Sequence, residues 1–358
     1  MNKTRKILLI VSASLASALI SYFAMGVIGA SIASNKIFQR RYSDISTLEY
    51  DFYRFQYVRS DYESLAKREE ITFSCNGETL MGYFYENTSP KGVIIFAHGV
   101  NNLADGNNAQ LYDYYLQRDY DIFAIDMTGC GRSSGKGIKS LHESRYCVVN
   151  AVKTMQNYEK TKDLPIFLFG HSWGAYGVVA ATEDIKGVSA VASFAAYNSP
   201  YEMMYGFMKG RSTDAVALTK PAFQLAVSTL WGDPSYFTAE TAIQHNSDVP
   251  YFVVQGDKDD TVLIDRYSLY DNVIRDNYDN VTAIRLHDMY HGSPWKTIEA
   301  VEYVKQCEKE IAEVRRQHKG DDKEEAVEQY FLTVDKEKAS ELNTDLLNQI
   351  DNLFTSQI

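Results

Sequence analysis

No run of Lys or Arg occurs anywhere in this chain, and its 47 acidic residues outnumber 36 basic ones, giving a net charge of -11 at pH 7. A surface that acidic repels phosphate backbones, which sets nucleic acid aside as a partner. Cysteine is scarce too. Cys75, Cys130, Cys147 and Cys307 form no CxxC pair and stand at no metal-ligand spacing with histidine, so the sequence offers no zinc motif. A domain of this size does not need disulfides, and Cys75 and Cys147 read as buried thiols on a strand and a helix face. Internal repeats are missing as well, which excludes a repeat array. What remains is a composition with 45% hydrophobic and 23% charged residues, that of an ordinary globular protein. Its 358 residues suffice for one large domain or two ordinary ones.

The N-terminus departs from that average. Lys3, Arg5 and Lys6 precede an uncharged run from Ile7 to Ala33. As a helix rising 1.5 Å per residue the run is about 40 Å long, enough for a bilayer core of about 30 Å. A secretory signal has a shorter apolar region, about 7–15 residues, before its cleavage site. The expectation is an uncleaved membrane anchor over residues 7–33. Ser31-Ile32-Ala33 would serve as the cleavage site of a signal segment, in which case the protein is secreted. Lys36, Arg40 and Arg41 balance the leading charges, but a six-residue leader stays inside and places the main domain outside the cell. Residues 34–69 are charged and rich in tyrosine (Tyr42, Tyr50, Tyr53, Tyr57, Tyr62), and are expected to form a helical linker whose tyrosines pack.

From Glu70 the pattern changes. Ile71–Cys75 and Thr79–Tyr85 alternate around Asn76-Gly77, a hairpin signal. Continuous apolar runs follow at Val93–Ala97, Ile122–Ile125, Ile166–Phe169, Val188–Phe194, Tyr251–Val254 and Val281–Leu286, as in parallel strands buried on both faces. Helical stretches lie between them, at about 108–118, 141–159, 173–183, 263–276 and 295–315. Alternation of this kind predicts a three-layer α/β core in two parts, 70–197 and 249–316. Residues 198–248 are too long for a plain loop and are expected to form a helical cap. Beyond 317 two further helical patterns make a C-terminal extension. In the second, Leu342, Leu346, Leu347, Ile350, Leu353 and Phe354 share one face, which should dock on the body or on a partner.

Chemistry enters at Gly170-His171-Ser172-Trp173-Gly174, which follows a buried strand and opens a helix, the setting of a G-x-S-x-G nucleophile elbow. The turn is so tight that small residues are needed where backbones meet, hence Gly170 and Gly174. The helix N-terminus beyond adds N–H groups and positive potential. Downstream, in the order acid then histidine, come Gly256-Asp257-Lys258-Asp259-Asp260-Thr261-Val262 after one strand and His287-Asp288-Met289-Tyr290-His291-Gly292 after the last.

On these residues the chain resembles the α/β-hydrolase superfamily. Within it, the resemblance is to the capped branch of monoacylglycerol lipases, esterases and serine aminopeptidase (S33) enzymes, and it covers roughly residues 70–315. It implies a mostly parallel eight-stranded sheet flanked by helices. The family's G-x-x-D-x-x-V pattern falls on Gly256, Asp259 and Val262, which points to Asp259 as the acid, with Asp257 and Asp260 as solvated turn carboxylates. A glycine after the histidine selects His291 over His287, which would end its strand partly buried. Phe96-Ala97-His98-Gly99-Val100 is similar to the family's H-G-x turn. On that likeness the N–H groups of Val100 and Trp173 would form the oxyanion hole, and His98 would fix the turn. Asp126-Met127-Thr128-Gly129-Cys130-Gly131-Arg132-Ser133 resembles the D-x-x-G-x-G-x-S loop and reads as scaffold. In the cap, Tyr201, Met203, Met204, Tyr205, Phe207, Met208, Phe223, Trp231, Tyr236 and Phe237 would supply the cap's own core and part of an apolar pocket. Glu202 and Glu240 would offer carboxylates to a substrate amino group. The function implied is a serine hydrolase acting on a carboxylic ester through Ser172, His291 and Asp259, with no cofactor and no metal. The alternatives are an aminopeptidase on the same triad, taking a short peptide, or a catalytically inactive, membrane-tethered binding module.

Overall fold

The structure, a computed structural model, describes residues 3–37, 53–100, 102–106, 108–209 and 220–358. Eight strands form one sheet: β1 (Glu69–Cys75), β2 (Glu78–Tyr85), β3 (Gly92–Ala97), β4 (Tyr120–Asp126), β5 (Ile166–His171), β6 (Val188–Phe194), β7 (Tyr251–Gly256) and β8 (Val281–Leu286). Their spatial order is β1-β2-β4-β3-β5-β6-β7-β8. β1–β2 and β2–β4 pair antiparallel, the rest parallel. The β1–β2 turn has positive φ at both Asn76 and Gly77 (48° and 80°), the two-residue hairpin geometry that Asn-Gly favours. Val93 to Ala97 and Ile122 to Ile125 are fully buried on both faces. β8 departs from the expected pattern, because as an edge strand it keeps no fully buried residue.

Helices α2 (Ala109–Leu116), α3 (Glu143–Asn157), α4 (Trp173–Ala181), α8 (Leu269–Asp276) and α9 (Ile298–Gln317) return the chain between strands or follow the last one. Two apolar layers result. One packs α3, α4 and the segment after β6 on one sheet face, and the other packs α2 and the C-terminus on the opposite face. α8 begins at Leu269 rather than near 263, because the residues after Asp259 are drawn into a loop around its carboxylate. The four cysteines are buried and make no disulfide with one another.

Between β6 and β7 lie α5 (Pro200–Lys209), α6 (Lys220–Trp231) and α7 (Ala239–His245). Residues 210–219 fall outside the described residues, and the side chain of Met208 is likewise not described. Tyr201 rings meet Tyr205, Phe223 and Tyr236 at centroid distances of 6.4, 5.9 and 5.0 Å, so these aromatics form an internal core for the segment.

The N-terminal helix α1 (Lys3–Ile37) carries a stretch, Lys3–Gly29, long and apolar enough to cross a membrane or to be a signal sequence. It lies along α6 and touches α5. A Cβ at Gly26 would come 2.5 Å from the Ala222 carbonyl carbon, so the two backbones approach as only glycine permits.

The helical expectation for residues 34–69 needs correction. Residues 38–52, with Tyr42 and Tyr50, lie outside the described residues. Residues 34–37 still belong to α1, but among residues 54–68 the helical structure is limited to two single 3-10 turns, Arg59–Asp61 and Glu63–Leu65. Their backbone groups are claimed elsewhere: Tyr57 N–H donates to Ser340 Oγ at 2.9 Å and Val58 N–H to Asp61 Oδ2 at 2.7 Å. The C-terminal extension holds three helices instead of two, α10 (Asp321–Phe331), α11 (Lys336–Ser340) and α12 (Thr344–Thr355). The apolar stripe of α12 docks on the body, where Phe354 stacks on Phe167 at 4.6 Å.

Candidate active site

The parallel strands place their carboxyl ends along one sheet edge, and the loops leaving β3, β5, β7 and β8 meet there. Ser172 stands between β5 and α4 with φ 54° and ψ -111°. A non-glycine residue pays of the order of 1–3 kcal/mol for such a backbone, so the surroundings must enforce it. They do. Ser172 N–H donates to Phe194 O at 2.8 Å and Gly174 N–H to His98 O at 3.1 Å. A Cβ at Gly170 would lie 2.5 Å from Gly174 O, and one at Gly174 would collide with the Ala97 carbonyl. Both glycines of the elbow are therefore required by close backbone approach, as the sequence suggests.

Ser172 Oγ lies 2.9 Å from His291 Nε2, and His291 Nδ1 lies 2.8 Å from Asp259 Oδ2. Asp259 also accepts hydrogen bonds from Thr261 N–H (2.9 Å), Val262 N–H (2.8 Å) and Gln255 Nε2 (2.9 Å). Burial works to raise its pKa, but the His291 charge and these hydrogen bonds outweigh burial and hold the carboxyl below its ordinary value. An ionised acceptor fixes the tautomer: Nδ1 carries the proton toward Asp259, which leaves Nε2 to accept from the serine hydroxyl.

The other acids separate. Asp260 is exposed. Asp257 is not the solvated carboxylate expected: it accepts from Arg285, from His287 Nδ1 at 3.0 Å and from Asp288 N–H at 2.8 Å, pinning the β7 and β8 ends together. His287 is exposed rather than partly buried, since it follows an edge strand and leans over Asp257.

Val100 follows Gly99, where a Cβ would lie 3.4 Å from Ser172 Cβ, and Trp173 follows the serine itself. As first residue of α4, Trp173 has an N–H with no acceptor inside its own helix. Its indole is buried and donates to Leu141 O at 3.1 Å, so the side chain serves packing. His98 is buried between loops: Nδ1 donates to Gly99 O at 2.7 Å and Nε2 accepts from Met127 N–H at 3.1 Å. Asp126 accepts from Tyr83 OH, Ala104 N–H and Arg132 N–H, tying its glycine loop to the hairpin.

Two residues were given no role by sequence reasoning. Gln255, at the end of β7, supports Asp259. His171 precedes the serine, and its Nε2 lies 2.8 Å from the His291 carbonyl oxygen. A carbonyl only accepts, so Nε2 holds the proton, and Nδ1 is buried without a partner among the described residues. Burial foremost, then the His291 charge, pushes the His171 pKa down to about 3, so the ring is neutral. No sequence signal beyond its place next to Ser172 marks it.

A cleft of ≈ 220 Å³ borders His291, lined also by Gln56, Tyr290, Ser293, Lys296 and Lys305. Glu202 pairs with Lys220 at 3.0 Å, while Glu240 accepts from Asn198, Asn272 and Tyr278. Among the described residues, Cys75, Glu143 and Cys147 bring possible metal-ligand atoms within 4.8 Å of one another. The Glu143 carboxylate already accepts from Asn76 and Thr128.

A mostly parallel eight-stranded sheet, with a serine on a strained strand-to-helix elbow at its carboxyl edge, defines an α/β hydrolase. The chain belongs to the family described as serine aminopeptidase, S33, whose family model matches residues 88–269. Ser172 and Asp259 lie inside that range and His291 beyond it. Among solved structures, an esterase from Pyrococcus furiosus is 16% identical, with a TM-score of 0.50 over 71% of this chain and 93% of its own. The acylaminoacyl peptidase of Pyrococcus horikoshii is 16% identical, with a TM-score of 0.47 over 73% of this chain and 44% of its own. No curated protein matches the chain in sequence.

Proposed function

We propose that this hydrolase is a serine hydrolase cleaving carboxylic esters, with Ser172 as nucleophile, His291 as general base and acid, and Asp259 orienting the imidazole. The observation that carries this reading is the continuous pair of contacts from Ser172 Oγ to His291 Nε2 and from His291 Nδ1 to Asp259 Oδ2, 2.9 and 2.8 Å long.

In the first half-reaction the Ser172 hydroxyl attacks the ester carbonyl carbon while His291 Nε2 takes its proton. Asp259 stabilises the imidazolium that forms. The N–H groups of Val100 and Trp173 take up the oxyanion, a contribution of about 3–4 kcal/mol per donor in comparable sites. His291 then gives its proton to the departing alcohol oxygen, leaving an acyl group on Ser172. Water, deprotonated by the same imidazole, attacks the acyl carbon, and the acid is released as Ser172 recovers its proton.

The ester reading is favoured over the aminopeptidase one because Glu202 and Glu240 are both engaged within the protein, which leaves neither as an unpaired partner for a substrate ammonium. A fluorophosphonate probe should label the wild type covalently and fail to label Ser172→Ala. A wild type that never reacts would return the chain to the binding-module reading. With labelling established, short p-nitrophenyl esters should be turned over faster than aminoacyl anilides; the reverse order would assign the triad to amide bonds.

A further inference from the structure

α1 and α6 meet in a way that bears on where the cap sits. Gly26 presses backbone to backbone on Ala222, and along α6 the positions 222, 226 and 229 fall on one face at helical spacing. Leu225 and Leu230 flank that face. These two residues are 50% and 47% exposed, and Phe207 on α5, which α1 also touches, is 42% exposed. Large apolar side chains left in the open beside a long apolar helix form one continuous patch.

Depth along α1 agrees. From Ile7 to Gly26 is a helical rise of about 30 Å, the thickness of a bilayer core, so Gly26 falls at the edge of the span rather than in its middle. The two hydroxyls on α6 are satisfied within the protein, as a lipid-facing helix requires. Thr229 Oγ1 donates to the Leu225 carbonyl at 2.7 Å, Ser228 Oγ lies 2.9 Å from Tyr236 OH, and Tyr236 OH donates to Gln224 O at 2.8 Å. Trp231, a residue type suited to the headgroup layer, ends the helix.

We infer that α1 is retained as a membrane span and, through the Gly26–Ala222 contact, holds the cap against the bilayer with Leu225, Leu230 and Phe207 immersed in its interfacial layer. The partner is the phospholipid surface itself, argued from the continuity of the exposed patch with the spanning helix. This placement goes beyond the hydrolytic reading and stands or falls without it.

The test uses the full chain in phosphatidylcholine vesicles. Because the four native cysteines are buried, a single surface cysteine can be labelled with an environment-sensitive dye. Leu225→Cys and Leu230→Cys are the probes, and Asn352→Cys on α12, across the sheet from the cap, is the control. With lipids brominated high on the acyl chain, emission at 225 and 230 should be roughly halved and blue-shifted, with no change at 352. Gly26→Leu, which forces the helices apart, should relieve most of the quenching at 225. Leu225 and Leu230 are exposed, so their replacement leaves the fold intact if Gly26→Leu does not. Unquenched probes at 225 and 230, quenching that Gly26→Leu leaves untouched, or a mature chain lacking α1 by mass spectrometry would each overturn the inference. Fluorescence reports position regardless of whether Ser172 reacts.

Discussion

His291 is held from three sides, and each hold has a separate consequence. Asp259→Asn keeps the shape but removes the ionised acceptor that fixes the tautomer; kcat should fall by roughly 10⁴-fold in ester hydrolysis, as for comparable triads. His171 acts one step removed, by donating to the His291 carbonyl. His171→Leu should lower kcat about tenfold, equivalent to about 1.4 kcal/mol, with KM little changed. His171→Gln, which restores an N–H at similar reach, should recover part of the loss. An unchanged kcat in His171→Leu would leave the contact with no role in the reaction. Ser172, Asp259 and His291 were legible because turn chemistry writes itself into residue type: glycines where backbones collide, and an acid and a histidine after successive strands. His171 and Gln255 were not, since a side chain that supports another group needs only the right reach, and no local pattern records reach.

The elements differ in how much of themselves they disclose. Strands buried on both faces read directly as apolar runs, and β3 to β7 appear where those runs stand. The stretch before β1 does not, because Phe55 and Leu65 are buried against distant parts of the chain rather than along a helical stripe. The pattern of α12 announced an apolar face without naming what it covers. The structure seats it on the sheet face opposite the cap, with Phe354 fully buried against Phe167 and Tyr115, and Tyr114 OH donating to Asn348 at 2.7 Å. Phe354→Ala should then destabilise the fold by about 3–5 kcal/mol, the range for truncating a buried phenylalanine. Denaturant unfolding monitored by tryptophan fluorescence would register it. A loss below about 1 kcal/mol would mean that α12 is dispensable to the body.

At the level of the whole molecule, Lys296 joins parts of the chain that no local pattern connects. It lies fully buried just after the His291 loop, its Nζ donating to Gln56 Oε1 from the N-terminal segment and, at 3.1 Å, to the Ala339 carbonyl of α11. Both acceptors are neutral, so among the described residues no anion opposes burial, which pushes the ammonium pKa down to about 7 from its ordinary 10.5. Between those values the unfolded chain binds a proton that the folded chain has given up, so folding stability rises with pH across that window. Below about pH 7 the folded state carries the full cost of a buried charge, and above about 10.5 it carries none. The slope due to this one group cannot exceed about 1.4 kcal/mol per pH unit. Lys296→Met removes the titration while keeping the length of the side chain, and every other ionisable group stays common to the two proteins. The difference in urea midpoint between wild type and Lys296→Met should therefore shift steadily in favour of wild type as pH climbs from about 7. Parallel midpoints across the same range would show that Lys296 keeps an ordinary ammonium, held by water or by a charge close to the cleft beside His291, and that the three chain segments are joined there by packing alone.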